Sequence, residues 1–241
     1  MLQIIMKKLI LGATGAIGSS LAKKIVDQGD KVHLVARDQN SLSDLANQLN
    51  SSYTVADMLT ENYAEKVLKD IEKEDIDGLA FCVGSIDLKP LKLTKKSDFM
   101  QSFNLNLISA TEVIKTLADN LKKNKGSVVL FSTVAVKQGF PNHAIVSSAK
   151  GAIEGLTLAL AAEFAPNVRV NCIAPSLTNS KISNFLLKNE KVADGIAKMH
   201  PLKRIGEGSD TASVARFLLT KESSWITGQV VGVDGGRSSV A

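Results

Sequence analysis

Aromatic residues and cysteines are scarce in this chain. Its 241 residues include two tyrosines, one tryptophan and eight phenylalanines. So few aromatic rings argue against a stacking platform for single-stranded nucleic acid. The only cysteines, Cys82 and Cys172, lie far apart, which excludes a disulfide framework and a C-x-x-C metal pair. We therefore expect reduced thiols, no metal site and a cytoplasmic protein.

Long apolar runs are also missing. No stretch approaches the roughly 18 uninterrupted apolar residues of a membrane-spanning helix, so we predict no membrane association. The first ten residues contain Lys7 and Lys8 but no apolar core followed by a small-residue cleavage site, so they do not form a signal peptide. The hydrophobic fraction of 44% is ample for a folded core and argues against intrinsic disorder.

Positive charge is in excess but scattered. Lys and Arg number 29 against 24 Asp and Glu, a net charge of +5. The densest group of lysines, between residues 89 and 96, is flanked by Asp87 and Asp98. Nucleic-acid binding requires charge clustered on one face, so this group is interpreted as solvated surface and no nucleic-acid partner is expected.

Short apolar segments alternate with helical patterns along the whole chain. The predicted strands are 8–11, 32–36, 53–56, 78–83, 127–131, 168–173 and 229–233, and the predicted helices are 21–28, 42–49, 62–72, 99–121, 147–164 and 212–219. Buried strands separated by helices indicate a parallel sheet covered on both faces. We predict an α/β, doubly wound Rossmann fold, with residues 1–241 forming one domain.

A glycine-rich turn joins the first predicted strand to the first helix. Glycines recur at every third position in this turn, and the candidate cofactor-binding residues within it are Gly12, Thr14, Gly15, Ile17 and Gly18. Glycine permits a sharp turn and lets backbone N–H groups approach a pyrophosphate at the helix N-terminus. The alternative is a tight strand–helix turn that binds no ligand.

The end of the second predicted strand bears on the choice of dinucleotide. An acidic residue about 20 residues past the glycines binds the ribose of NAD, whereas a nearby Arg accommodates the 2′-phosphate of NADP. Here Ala36 is followed by Arg37, which favours NADP over NAD. The alternative is a surface arginine paired with Asp38 or Asp44.

Further segments carry a resemblance to a known family. They are Asp57 after the third strand, the Asn106 segment 105–107, Ser132-Thr133 after the fifth strand, Lys150 within 147–152, and the segments 169–175, 226–229 and 233–236. Together with the glycine turn, they resemble the short-chain dehydrogenase/reductase family over nearly all of 7–237. The resemblance implies an oxidoreductase that uses a nicotinamide cofactor on a small carbonyl or alcohol substrate, in a homo-oligomer (tetramer or dimer).

The resemblance also implies roles for individual residues. Lys150 would hold the nicotinamide ribose, Asn106 would hold a water of the proton relay, and Thr133 would take the place of the family's catalytic Ser. Asp57 and Met58 would lie near the adenine. Gly84 would lie beside the cofactor, the turn after Pro175 would lie near the nicotinamide, and the segment 176–201 would cover the substrate.

The sequence departs from the family at the proton donor. The family has Tyr four residues before the Lys, but Val146 stands there. Both tyrosines of this chain lie in its first third. His143 is a candidate acid–base group because imidazole titrates near neutrality, the alternative being an exposed loop or helix-entry residue. Two hypotheses follow: an NADP-dependent oxidoreductase with non-standard proton delivery, or a non-catalytic NADP-binding sensor or scaffold.

Overall fold

Parallel strands form one continuous sheet across the molecule. The structure is a computed structural model and describes residues 6–72 and 74–240. Within them lie β1 (Lys7–Leu11), β2 (Lys31–Ala36), β3 (Ser52–Val55), β4 (Ile76–Phe81), β5 (Ser127–Phe131), β6 (Arg169–Pro175) and β7 (Val230–Val233). Their order is β3-β2-β1-β4-β5-β6-β7, and all neighbouring strands are parallel. This confirms the predicted doubly wound α/β fold.

Helices cover both faces of the sheet. They are α1 (Ala16–Val26), α2 (Gln39–Leu49), α3 (Tyr63–Asp70), α4 (Lys96–Phe103), α5 (Ser109–Lys123), α6 (Val134–Lys137), α7 (Ala144–Phe164), α8 (Asn184–Leu187), α9 (Glu190–Lys198) and α10 (Gly208–Leu219). The single helix predicted over 99–121 is in fact α4, a π-helical turn at Asn104–Ile108, and α5. Sequence patterns also missed α6, α8 and α9.

The sheet separates two hydrophobic cores. Leu9 and Leu11 of β1 face the core that contains α3, α5 and α7, whereas Ile10 faces the core that contains α1, α2 and α10. This alternation is the two-residue period of a strand buried on both sides.

The helix α7 belongs to the first of these cores. By length and composition it is apolar enough to cross a membrane, with a mean hydropathy of 1.3. However, Ile153, Ala161 and Phe164 pack into the core beneath the sheet. Contacts with the sheet thus explain the apolar residues on one face of α7, whereas Leu158 of the same helix is exposed.

The carboxyl ends of the strands meet along one edge. The glycine turn follows β1, Gly84 lies shortly after β4, Thr133 follows β5, and Pro175 ends β6. The chain changes direction between β1 and β4, its neighbour in the sheet, and ligands of doubly wound sheets bind at such a point. The fold therefore brings the predicted site residues to one crevice.

Candidate functional site

The glycine turn is shaped by close backbone contacts. Gly12 has φ +74°, and a Cβ there would stand 2.8 Å from the carbonyl oxygen of Cys82. A Cβ on Gly18 would collide with the carbonyl oxygen of Gly12. Gly15 immediately precedes α1, so the free N–H groups of the first helical turn are available to bind an anion at this end of the helix.

A cleft of about 370 Å³ opens beside this turn. Thr14, Ala16 and Ser19 line one side of it, and residues 179–181 with Asn184 line the other. The segment predicted to cover the substrate therefore faces the start of α1. Lys181, which no sequence pattern indicated, places a positive charge on the rim of this cleft.

Arg37 lies at the end of β2 with its side chain exposed. Among the residues that the structure describes, it forms no ion pair, and Asp38 is engaged elsewhere because its Oδ1 accepts a 2.8 Å hydrogen bond from the Ser41 N–H. Hydrogen bonding to Ser41 lowers the pKa of Asp38, and the charge of Lys181 lowers it further. The proposed pairing of Arg37 with Asp38 or Asp44 is not what the structure contains.

Lys150 and Asn106 converge on Gly84. A Cβ on Gly84 would lie 3.1 Å from Lys150 Nζ and 3.2 Å from Asn106 Oδ1. Asn106 Nδ2 donates to the carbonyl of Ser102 at 2.8 Å, but its Oδ1 is buried and has no partner among the described residues. Lys150 is only 7% exposed, and burial lowers its pKa to about 8. Buried polar atoms without partners are costly, so this spot is a candidate binding site for a polar ligand.

Asn106 owes its position to a break in helical geometry. It sits in the π-helical turn Asn104–Ile108 between α4 and α5. Such turns are rare and occur frequently at functional sites, because the extra residue redirects a side chain. No sequence pattern predicted the π turn, although the resemblance had pointed to Asn106.

The hydroxyls after β5 have different surroundings. Thr133 Oγ1 accepts a 3.3 Å hydrogen bond from the Ala135 N–H at the start of α6. Its neighbour Ser132 donates to Glu154 Oε1 at 2.5 Å and approaches the carbonyl oxygen of Lys150 at 3.3 Å. Glu154, which the sequence analysis missed, therefore links the end of β5 to the helix that carries Lys150.

The structure places no phenol beside Lys150. Val146 is buried one helical turn before Lys150 on α7. Tyr53 lies on the edge strand β3, and Tyr63 begins α3, where its hydroxyl donates to the carbonyl of Ser109. Burial raises the pKa of Tyr63. Neither tyrosine is free to act on a substrate at Lys150.

His143 directly precedes α7. Its Nδ1 is 2.7 Å from the carbonyl oxygen of Pro141, to which it donates, and its ring centroid lies 5.3 Å from that of Phe140. Its Nε2 has no hydrogen-bond partner within residues 6–72 and 74–240. His143 is thus a helix-entry residue with one ring nitrogen available.

The remaining predicted residues border the same edge of the sheet. Asp57 Oδ1 accepts from the Leu59 N–H at 3.0 Å and shapes the turn after β3, in which Met58 is buried. Pro175 is followed by Ser176, whose Oγ is 2.8 Å from Nε2 of the buried His200. Sequence analysis did not identify His200.

A second cleft, of about 440 Å³, is lined partly by Ser176 and His200. It is also lined by Arg204 and Asp210, which pair through two hydrogen bonds of 2.6 and 2.8 Å. Because these polar groups satisfy one another, the cleft offers a ligand less than the crevice at Lys150 does.

Comparison with known proteins defines the class. Residues 12–238 match the family model described as enoyl-(acyl carrier protein) reductase. The chain belongs to the short-chain dehydrogenase/reductase family. The relatives that it matches are oxidoreductases of this family.

Individual relatives cover almost the whole chain. A tropinone reductase homologue of Arabidopsis thaliana is 30% identical over 95% of this chain and 90% of its own length. The 3-oxoacyl-(acyl-carrier-protein) reductase of Rickettsia bellii is 30% identical over 96% of each protein. Among solved structures, ElxO with NADP bound is similar with a TM-score of 0.89 and 26% identity, over 97% of this chain and 99% of ElxO.

Proposed function

We propose that this protein is an NADP(H)-dependent oxidoreductase that acts on a small carbonyl or alcohol substrate and receives its proton from a group other than a tyrosine at position 146. The observation that carries the proposal is the convergence of Lys150 Nζ and Asn106 Oδ1 beside Gly84. Lys150 is a buried residue, Asn106 Oδ1 is a buried atom, and neither Lys150 Nζ nor Asn106 Oδ1 has a hydrogen-bond partner among the described residues. These atoms lie at the same sheet edge as the anion-binding turn of α1.

The residues present fit a dinucleotide. The turn around Gly12, Gly15 and Gly18 would hold its pyrophosphate, and Lys150 with Asn106 would meet the polar groups at its nicotinamide end. When bound, the nicotinamide supplies or accepts a hydride.

Proton transfer then falls to residues around the substrate oxygen. The Thr133 hydroxyl would hydrogen-bond that oxygen, and Asn106 would hold a water through its free Oδ1. His143, with its free Nε2, or such a water would donate the proton. Loss of a positioned general acid lowers the rate by about 10²–10⁴, so we expect slow turnover.

Two observations support NADP rather than NAD. Arg37 is exposed and makes no ion pair with a described residue, and Lys181 adds a second positive charge close to Asp38. A guanidinium binds a phosphate through charge-assisted hydrogen bonds. The similar protein ElxO is described with NADP bound.

A non-catalytic NADP sensor or scaffold is the second candidate. Val146 favours it, because the substitution removes a proton donor but no group that would hold the cofactor. In this case the protein would bind NADPH and turn over no substrate.

Val146→Tyr separates the two candidates, with Val146→Phe as a control for ring size. We expect slow reduction of ketones by the wild type, and at least about tenfold faster reduction by the Tyr variant than by the Phe variant. NADPH should bind all three proteins equally, as measured by fluorescence titration. NADPH binding without wild-type turnover on a carbonyl panel would favour the sensor, and absence of NADPH binding would overturn both.

The proposal extends to assembly and location. β7 is an edge strand, and Trp225 before it is 99% exposed, so this edge suits a contact with a second copy of the chain. We propose a dimer or tetramer, to be tested by light scattering.

The free thiols of Cys82 and Cys172 suit the reducing cytoplasm.

A further inference from the structure

Arg237 lies in a rigid turn after β7. The Asp234 carboxylate accepts hydrogen bonds from the Gly236 N–H at 2.9 Å, the Ser238 N–H at 2.9 Å and the Ser238 hydroxyl at 2.6 Å. The Arg237 N–H donates to the carbonyl oxygen of Asp234 at 3.1 Å. These bonds fix the backbone from which the Arg237 side chain projects.

The guanidinium of Arg237 is held by apolar surfaces. Its carbon lies 5.3 Å from the centroid of the Phe140 ring, and Nη2 is 3.6 Å from the sulfur of Met199. Among residues 6–72 and 74–240, no carboxylate lies within ion-pair distance of it. Arg204, by contrast, binds the Asp210 carboxylate at both of its Nη atoms. A thioether is a weak acceptor, so most of the five Arg237 donors remain available.

Three segments from the carboxyl edge of the sheet meet at this side chain. Phe140 lies between β5 and α7, Met199 closes α9 within the covering segment, and Arg237 follows β7. The ring of His143, the candidate proton donor, packs on Phe140. Arg237 therefore lies at the carboxyl edge of the sheet, on the same Phe140 ring as the candidate proton donor His143.

We propose that Arg237 binds a carboxylate of the substrate, so that the preferred substrates are oxo or hydroxy acids. A guanidinium on an aromatic face matches the planar carboxylate with two parallel hydrogen bonds. The assignment of an oxidisable or reducible substrate rests on the proposed function, whereas the carboxylate site does not.

A purely structural role for Arg237 is the competing explanation. In that case its contacts with Phe140 and Met199 would only fasten the covering segment to the body of the protein. Removal of the guanidinium would then lower the melting temperature without changing which ligands bind.

The test uses two matched pairs of probes: 3-oxobutanoate with methyl 3-oxobutanoate, and 4-oxopentanoate with methyl 4-oxopentanoate. Binding is measured by calorimetry with saturating NADP⁺, which cannot reduce the ketones. We expect at least one acid to bind at least about tenfold more tightly than its ester. Arg237→Met should abolish this preference and Arg237→Lys should retain part of it.

Lys198→Met is the matched control, because it removes one positive charge from an exposed side chain next to Met199. It should leave the acid preference unchanged. Equal binding of acids and esters by the wild type, or an unchanged preference in Arg237→Met, would overturn the proposal. NADPH titrations of the same variants test the proposed function separately. If NADPH does not bind, the calorimetry is repeated without cofactor, and an acid preference there would refute the oxidoreductase and keep the carboxylate site.

Discussion

Two buried polar clusters lie toward opposite ends of the sheet and differ in how their atoms are satisfied. The amino-end cluster comprises Lys7, His33, Ser52, Thr54, Asp70 and Glu74. The carboxyl-end pair comprises Lys150 and Asn106. His33 and Lys150 are similarly buried, yet both ring nitrogens of His33 have partners and Lys150 Nζ has none among the described residues.

Hydrogen bonds in the amino-end cluster fix the protonation of His33. Thr54 donates to Asp70 at 2.6 Å, so its hydroxyl oxygen accepts from His33 Nε2–H at 2.9 Å. Ser52 accepts from the Lys7 ammonium at 3.1 Å and donates to Nδ1 at 2.9 Å. His33 is therefore neutral, and burial lowers its pKa to about 4.

The difference distinguishes polar groups that serve folding from those that serve binding. In the amino-end cluster, Ser52 and Thr54 satisfy both ring nitrogens of His33, and only Glu74 Oε2 lacks a hydrogen-bond partner among the described residues, so the burial of His33 costs little. The carboxyl-end pair keeps a buried cation and a buried carbonyl oxygen unpaired. Such groups are retained at a cost in stability where a ligand provides the missing partners.

Removing a buried lysine whose charge is paired should have the largest effect on stability. Lys8 is buried in β1, and its Nζ lies 2.6 and 2.8 Å from the two carboxylate oxygens of Asp77. Lys8→Met leaves that carboxylate without its cation, so we expect the free energy of unfolding to fall by about 2–4 kcal/mol. Urea denaturation at pH 7 measures this change. If the variant is as stable as the wild type, Lys8 is not held by its pair.

The pH dependence of stability should report on His33. Its pKa is about 4 when folded, against an ordinary value of 6.5. Between these values the unfolded chain binds more protons, so stability falls as the pH drops from 6.5 towards 4. The full loss is about 3 kcal/mol. Urea denaturation at several pH values should show this slope, and His33→Asn should remove most of it. An equal slope in that variant would assign it to other groups.

Lys150→Met should stabilise the cofactor-free protein, whereas Lys8→Met should destabilise it. The substitution removes a desolvated cation that lacks a partner, so we expect the cofactor-free protein to gain about 1–2 kcal/mol of stability. NADPH affinity should fall by at least about tenfold, because the ribose loses a donor. Denaturation and fluorescence titration measure the two effects. A destabilised variant would show that Lys150 has a structural partner and would remove the contrast between the two clusters.

Local patterns were sufficient to predict the fold. Most strands of the sheet appeared as short apolar runs because strands buried on both faces are built mainly from apolar residues. The helices α8 and α9 were missed because they bury no residue and so lack the signal that a core-facing helix gives. The π turn was missed because it differs from an α-helix by one residue in hydrogen-bond spacing.

The site was only partly predictable, because only some of its residues follow rules of position along the chain. The glycine turn and Arg37 have positional rules of their own. No such rule exists for Glu154, Lys181 or Arg237, because their surroundings come from residues distant in sequence. Glu154 binds Ser132, Lys181 lines the same cleft as the start of α1, and Arg237 lies over the Phe140 ring. Only the assembled edge of the sheet reveals them.

Arg37→Met should have the smallest effect on stability. It tests again whether a polar group serves binding and not folding. Arg37 is exposed and forms no ion pair with a described residue, so folding gains nothing from its charge, and the denaturation midpoint should stay unchanged. NADPH affinity should fall by about tenfold, while NADH affinity should not change, because only the 2′-phosphate uses the guanidinium. Fluorescence titrations with both cofactors measure this, with Lys31→Met, at the exposed start of the same strand, as the control for net charge. Equal losses for NADPH and NADH would assign Arg37 to the adenosine in general and withdraw the argument for NADP.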